Sequence, residues 1–397
     1  MKKSLIAIAV LGAAAFSAQA ANVTLYGTVD AGFAYNHIKV KADGQSESVN
    51  SFKMADGLNG ANKIGIKGEE DLGNMKVGFK LENKFQLSNG ALGESSKLFQ
   101  REARMYVKSD FGEIGAGRFG GLASAAGSYD LFFGEADAFD GGDNAIDYAF
   151  STSDRYNNSI AYQSPEIAGF QGTLMYSFSE KDPQADKMKN NDRYIGAGIT
   201  YGIENLKLVG VIEGHILSKD KDAVVHKDNE HKNSFTYNLG GNYDFGVAKV
   251  FAGGQIARNV ALGSIQQGFE LKADDAIADD KTKKKALAFV KGIQFNGYAL
   301  TLGAQIPVAA DKITVGAYYG KYKNASDVAA NSDYEIDAFE KKSQKVDVYG
   351  ISARFEHNLS KRSNIYAGAG IGQTKLKDDT KITRDVAQVY VGLHHNF

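Results

Sequence analysis

The chain has no cysteine, no tryptophan and only three prolines in 397 residues, and its 46 basic and 47 acidic side chains nearly cancel. Without cysteine, disulfide scaffolds, cysteine-ligated zinc, thiolate nucleophiles and iron–sulfur clusters are excluded, which leaves oxygen and nitrogen chemistry. A formal charge of −1 carries no footprint of a nucleic-acid binder or of a disordered acidic chain. After the N-terminus no apolar run reaches the ~18 residues of a spanning helix. Proline removes a ladder donor, so its scarcity suits a chain made of interior strands; Pro165 and Pro183 fall in connections and Pro307 at a strand end. What the chain has in quantity is glycine, 45 residues, with 23 Phe and 20 Tyr.

The N-terminus reads as a bacterial secretory signal peptide over residues 1–20. Lys2 and Lys3 form a basic start, Leu5 to Phe16 an apolar stretch, and Ala18-Gln19-Ala20 a small-residue cleavage site. The apolar stretch is short of the ~20 residues of a membrane anchor. The expected mature chain, 21–397, is a single exported domain. An exported chain without a spanning helix is periplasmic, secreted, or a closed barrel in the outer membrane.

Period-2 alternation decides among these. From Met75 to Leu87, Met75, Val77, Phe79, Leu81, Phe85 and Leu87 oppose Lys76, Lys80, Glu82, Lys84 and Gln86. One face suits lipid and the other water, which turns Lys80, Glu82 and Lys84 toward a lumen. The same dyad predicts strands over 22–35, 61–70, 75–87, 99–109, 113–120, 156–163, 170–179, 192–202, 206–217, 234–244, 247–257, 297–308, 312–323, 345–357, 364–375 and 385–397. That gives sixteen strands; loose alternation over 286–296 leaves eighteen as the alternative.

Between strands, short turns such as 71–74 and 110–112 alternate with long polar connections such as 36–60, 121–155 and 258–296. A soluble sandwich has no reason to obey this alternation, whereas a transmembrane barrel has one short-turn and one long-loop rim. An even strand count lets the first and last strands pair and abolishes both edges. The expected fold is all-β: a 16-stranded antiparallel transmembrane β-barrel. With Trp absent, Tyr26, Tyr106, Tyr162, Tyr176, Tyr201, Tyr318, Tyr366 and Phe397 are candidates for the interfacial aromatic girdles, with a barrel core as the other assignment for each.

Enzyme signatures are missing. The seven histidines show no metal-ligand spacing, and adjacent His394 and His395 point to opposite faces of a strand. No nucleophile elbow or phosphate-binding loop occurs. The reading is therefore no catalytic residue, no metal and no cofactor.

Several segments, in order along the chain, carry a resemblance: Val23-Thr-Leu-Tyr-Gly-Thr-Val-Asp30, Lys63 to Gly73, Asp110-Phe-Gly112 followed by Gly117-Arg118, Asn158 to Pro165, and Tyr390 to Phe397. Together they resemble the general Gram-negative porins. The resemblance implies a trimer of 16-stranded barrels, each with its third long loop folded into the lumen as a constriction. It also implies that Phe397 presents an assembly signal to the outer-membrane barrel-assembly machinery.

Residues 121–155 suit the constriction on their own chemistry. Asp130, Glu135, Asp137, Asp140, Asp143, Asp147 and Asp154 are acidic, no Lys or Arg lies between Phe119 and Asp154, and the aromatic content favours a loop packed inward. Carried over from the family, the opposing basic wall is Lys63, Arg101, Arg118 and Arg155. Alternation in the fourth strand selects Arg104 rather than Arg101, and both remain candidates. Seven loop carboxylates against about four wall cations imply a mild cation preference.

The implied function is an outer-membrane porin for passive diffusion of small hydrophilic solutes and ions. The alternatives are a substrate-specific porin, a surface adhesin on a barrel scaffold, and a barrel-wall hydrolase. The implied partners are outer-membrane lipid and lipopolysaccharide, whose phosphates would be met through divalent cations held by acidic clusters near 274–280 and 333–340, or directly by Lys281, Lys283, Lys284 and Lys285, with solvated surface loops as the other reading of these clusters. No nucleic-acid partner is implied.

Overall fold

The computed structural model describes residues 22–42, 44–93, 96–143, 149–180, 187–218, 232–262, 294–325, 345–377 and 382–397. The signal-peptide reading, Asp147 and the acidic and basic clusters near 274–285 and 333–340 lie outside the described residues.

Strands dominate the described residues. The first half holds β1 (Thr24–Ala42), β2 (Gln45–Asp56), β3 (Lys63–Asp71), β4 (Met75–Lys84), β5 (Glu102–Ser109), β6 (Gly112–Gly120), β7 (Arg155–Gln163) and β8 (Phe170–Ser177). The second holds β9 (Arg193–Ile203), β10 (Leu206–Ile216), β11 (Ser234–Asp244), β12 (Lys249–Val260), β13 (Phe295–Val308), β14 (Asp311–Asn324), β15 (Lys345–Asn358), β16 (Ser363–Leu376) and β17 (Ile382–Asn396). A short helix, α1 (Phe132–Ala136), interrupts the long connection between β6 and β7.

All pairings are antiparallel between neighbours, and β1 closes the sheet on β17 from Thr28↔Asn396 to Lys41↔Thr383. The lower end of β1 pairs with β3 and its upper length with β2. β2 and β3 therefore fill successive lengths of one wall position, and the seventeen strands make a closed barrel of sixteen positions. Closure removes both edges, so no ladder is left for another chain to extend at the seam.

The faces are inverted relative to a soluble protein. Leu25, Met105, Leu174, Ile199, Leu239, Leu300, Ile351 and Leu393 stand outward and exposed, while Thr28, Glu82, Glu102, Ser159, Thr173, Gln255 and Thr314 are buried within. A charge placed on the outward row would cost ~2–4 kcal/mol at the bilayer midplane.

The expected 36–60 connection is largely strand, a tight hairpin between β1 and β2. Its alternation is present with the opposite phase: Ile38 and Val40 are buried inside the barrel mouth, opposite Val386 and Arg384 of β17. Above the membrane the outer face meets water, so polar residues move outward and the segment reads as a loop.

The girdle assignment is also corrected for four tyrosines. Tyr318 and Tyr366 are only 3% and 1% exposed, and their hydroxyls bond Asp137 and Asp30. Tyr26 and Tyr106 reach Glu82 and Glu69 on the inner face. Tyr162, Tyr176 and Tyr201 do lie on the outward rows. The inner rings have a structural partner: Tyr26 lies over Gly65 and Tyr106 over Gly78, directly across the ladder, where any Cβ would collide with the ring. Glycine at these positions lets a bulky ring lie flat on the wall.

The apolar core sits inside the barrel rather than between layers. Phe119, Leu122, Tyr129, Phe132, Phe133 and Phe150 from the β6–β7 segment pack with Tyr194, Val211, Tyr318 and Val348 of the wall. The rings of Phe132 and Phe133 meet edge-on at 5.0 Å, and Phe133 meets Phe150 at 5.9 Å.

Candidate functional site

Residues 121–143 and 149–154 lie in the barrel interior, held by wall side chains. At its start the Leu122 amide donates to the Tyr194 hydroxyl (2.9 Å) and the Ala123 amide to Glu213 (3.0 Å). α1 packs on β10, β11 and β12, where Gly240 and Gly253 let Ala136 approach the strands. Beyond it Gln305 donates to the Ala138 carbonyl (2.7 Å), Tyr318 to Asp137 (3.2 Å) and Tyr390 to Asp143 (2.8 Å). On the return Tyr322 donates to the Ala149 carbonyl (2.7 Å) and Gln255 to that of Ser151 (2.8 Å). These contacts lie along the inner face from β10 to β17, while on β4 and β5 the segment touches the wall through Ser128 and Tyr129, which meet Lys80, Glu102 and Arg104.

The wall of β3 to β5 is basic. Register sets Lys63 opposite Lys84, and Lys67, Lys80 and Arg104 in one row across β3, β4 and β5. Two buried carboxylates bind the cations together: Glu82 pairs with Arg101 (2.5 Å) and Lys63 (3.9 Å), and Glu102 with Lys80 and Arg104 (2.8 Å each). Arg101 and Arg104 both turn to this wall. Arg101 precedes the first residue of β5, so strand alternation does not govern it, and the apparent conflict between the two disappears.

The two arginines have different surroundings. Arg104 is enclosed by Glu102, Glu113 (2.5 Å) and the Tyr129 hydroxyl (2.8 Å), and its guanidinium lies over the Tyr129 ring at 4.9 Å. It ties the inner segment to the wall. Arg118 falls in register with Ala103 on the opposite face, and its guanidinium donates to the Gln100 carbonyl (2.8 Å) and the Asn157 amide oxygen (2.7 Å). Arg118 is therefore not part of the lumenal row. Arg155 is within electrostatic reach of Arg101, Arg118 and Glu82, and its buried Nε has no hydrogen-bond partner among the described residues.

The acidic candidates separate by environment. Glu135 is paired with Lys207 (3.2 Å) and Asn242 (2.8 Å), and Asp137 and Asp143 accept from tyrosines. Asp140 faces lumen water within electrostatic reach of Lys63. Crowding by protein and the nearby Asp137 and Glu135 push its carboxyl up to about 6. Asp130 is more enclosed; desolvation, with Asp140 beside it, pushes its carboxyl up to about 8.

Lys67, absent from the sequence-derived set, shares this face with Lys76 and Lys108, which the alternation of their strands already turns toward water. The dyad that selected Lys80 and Lys84 also selects Lys67, two turns of the pleat below Lys63. The tyrosine contacts to the inner segment had no such local signal. At the seam, Phe397 exchanges two backbone hydrogen bonds with Gly27 (3.0 and 3.1 Å), and its ring lies where a Cβ on Gly27 would stand. Among the described residues no group of three His, Asp or Glu side chains is arranged to hold a metal.

Comparison with known proteins agrees with this architecture. The Gram-negative porin family matches residues 7–379. An outer membrane porin protein of Bordetella pertussis is 28% identical, with both chains covered in full. Outer membrane porin protein 32 of Delftia acidovorans is 30% identical over 99% of this chain and 95% of its own. Among solved structures, an anion-selective porin from Comamonas acidovorans superposes with a TM-score of 0.58 at 21% identity, covering 95% of this chain and 100% of its own. A closed barrel with an apolar belt, a polar lumen and family similarity along nearly its whole length makes this chain a member of the Gram-negative porins, an outer-membrane channel for passive diffusion of small hydrophilic solutes and ions.

Proposed function

We propose that the 121–154 segment is the constriction of this channel and that the narrow passage it leaves beside β3 to β5 prefers anions. The observation that carries the reading is the inequality of the two sides. Asp137, Asp143 and Glu135 are engaged by Tyr318, Tyr390 and Lys207, and burial pushes the Asp130 carboxyl up to about 8. The facing wall carries Lys67 and Lys84 with no ion-pair partner among the described residues, beside Lys63, Lys80 and Arg101, which pair with Glu82 and Glu102. Counting carboxylates predicts cation preference; their pairing and burial support the reverse. A solved structural relative is an anion-selective porin, which agrees with this reading at the level of a shared fold.

Selectivity of this kind needs no binding energy beyond a screened field, because polar lumen groups keep ions solvated while the fixed charge raises the local concentration of one sign. The channel has no catalytic role in this reading. Its partners are two further copies of the chain in a homotrimer, lipopolysaccharide and lipid around the belt, and the assembly machinery that reads Phe397 before the seam closes. Purified protein in a planar bilayer under a KCl gradient tests the proposal: a reversal potential of the sign set by chloride is expected, and the sign set by potassium overturns it. A solute-size exclusion series on the same protein measures the aperture.

A further inference from the structure

Along the described residues of β3 to β5 most lumenal cations have a carboxylate partner, but three lysines do not. Lys63, Lys76, Lys80, Arg101 and Arg104 are each within 4.0 Å of a glutamate oxygen. Lys84, Lys67 and Lys108 are exposed to lumen water and have no ion-pair partner among the described residues. Their positions are regular. Lys67 stands opposite Lys80, four residues along β4 from Lys84, and Lys108 stands opposite Lys76, four residues further along.

At 3.3–3.4 Å per residue each interval is ~13 Å along the strand direction. The column begins beside Lys63 and Arg101 at the narrow passage and ends at the rim carrying the short turns after β3 and β5. Neighbouring paired residues keep the intervals neutral: Glu102 balances Lys80 between the first two steps, and Glu69 balances Lys76 (2.9 Å) beside the last.

We propose that Lys84, Lys67 and Lys108 form an anion relay that leads small inorganic and carboxylate anions from the narrow passage to the short-turn mouth. This deepens the anion-preference reading and rests on it. The spacing decides the ligand class. No small anion spans ~13 Å, so each lysine acts as a separate site, and at physiological ionic strength the ~8 Å screening length keeps neighbouring sites independent. A lone ammonium in water attracts an anion by about 1 kcal/mol at contact, strong enough to concentrate it and weak enough to release it. Conduction has both requirements.

The test uses the full mature protein in planar bilayers, with reversal potentials in a KCl gradient for wild type, Lys67→Gln, Lys108→Gln, Lys67→Arg and Lys321→Gln. Lys321 lies on the outward row of β14 and serves as the charge control. The relay predicts that each lumenal Gln variant lowers the chloride-to-potassium permeability ratio by about twofold in dilute salt and much less in concentrated salt, where screening removes the field. Lys67→Arg is expected to restore the ratio, and Lys321→Gln to leave it unchanged. An anion-selective wild type whose Lys67→Gln and Lys108→Gln ratios match Lys321→Gln overturns the relay alone. A wild type without anion preference overturns the relay together with the reading beneath it.

Discussion

The Tyr366 hydroxyl donates a 2.6 Å hydrogen bond to the buried carboxylate of Asp30, joining β16 to β1 across the closing strand β17. The same carboxylate faces Nδ1 of His394 in β17 at 2.9 Å and accepts from the Leu58 amide (3.0 Å), where the chain passes from β2 to β3. One side chain therefore fixes the seam and the point at which two strands share a wall position. Asp30 is the last residue of the opening Val23 to Asp30 segment that carries the family resemblance, and these contacts give that resemblance a physical basis. Asp30→Ala removes this acceptor from the buried Tyr366 hydroxyl and Leu58 amide and from the half-buried His394 ring. The expected loss is about 3 kcal/mol, from about 1 kcal/mol or more for each group left unsatisfied. Urea unfolding of the detergent-folded barrel measures it, with Asp30→Asn expected to lose less because it keeps an acceptor oxygen.

Tyr318 and Tyr390 hold the inner segment by hydrogen bonds donated to Asp137 and Asp143. Replacing both with phenylalanine keeps the ring packing and removes the donors. Each bond is worth about 1 kcal/mol net, so the barrel should remain folded while the segment becomes free to fluctuate. Single-channel records of the double variant are expected to show added gating noise and a weaker anion preference, because two carboxylates gain freedom to face the lumen. Quiet, unchanged records would mean that the apolar contacts of Phe132, Phe133 and Phe150 hold the segment without them.

The strands themselves were legible because lipid and water impose opposite demands on alternate residues, and those demands leave a mark at every position. The expected 312–323 and 297–308 strands lie within β14 (Asp311–Asn324) and β13 (Phe295–Val308). The mark fails where the surroundings change. At the barrel mouth the outer face meets water, and Ile38 and Val40 turn inward. It also fails for side chains that act outside a ladder, such as Arg101 beside Glu82. Candidate charges were legible as types, while their surroundings were not: where the Asp137 carboxylate points depends on Tyr318, more than 170 residues away in sequence.

Asp140 and Asp130 give the channel a pH dependence of definite sign. Both carboxyls are raised, to about 6 and about 8, chiefly by desolvation and then by neighbouring carboxylates. Raising the pH through these values adds negative charge to the inner segment, first at Asp140, within reach of Lys63, and then at Asp130 beside it. Anion preference should therefore fall in two steps between about pH 5 and about pH 9, well below the ~10.4 at which free lysines lose charge. Stability follows the same direction. A carboxyl that binds its proton more tightly in the folded state stabilises the fold below its unfolded value of ~3.9, and that contribution is lost as the pH rises through the folded value. Reversal potentials across this range check the first statement, and Asp130→Asn together with Asp140→Asn should flatten the profile.

Glu82 provides a change of the opposite sign to the lysine variants. Its carboxylate is 3% exposed, pairs with Arg101 at 2.5 Å and Lys63 at 3.9 Å, and accepts from the Tyr26 hydroxyl at 3.0 Å. Glu82→Gln keeps the shape and an acceptor for Tyr26 while removing one negative charge from the lumenal wall. Anion preference should rise, since Arg101 and Lys63 would then present uncompensated charge to the passage. Stability should fall, because separating a buried pair costs 3–5 kcal/mol when full and less where one partner reaches water, as Lys63 does here; about 2 kcal/mol is expected. The two readouts move in opposite directions, so a general loosening of the barrel cannot imitate the result. Unchanged selectivity in a folded Glu82→Gln channel would mean that the field of the β3–β5 wall does not reach the permeating ion.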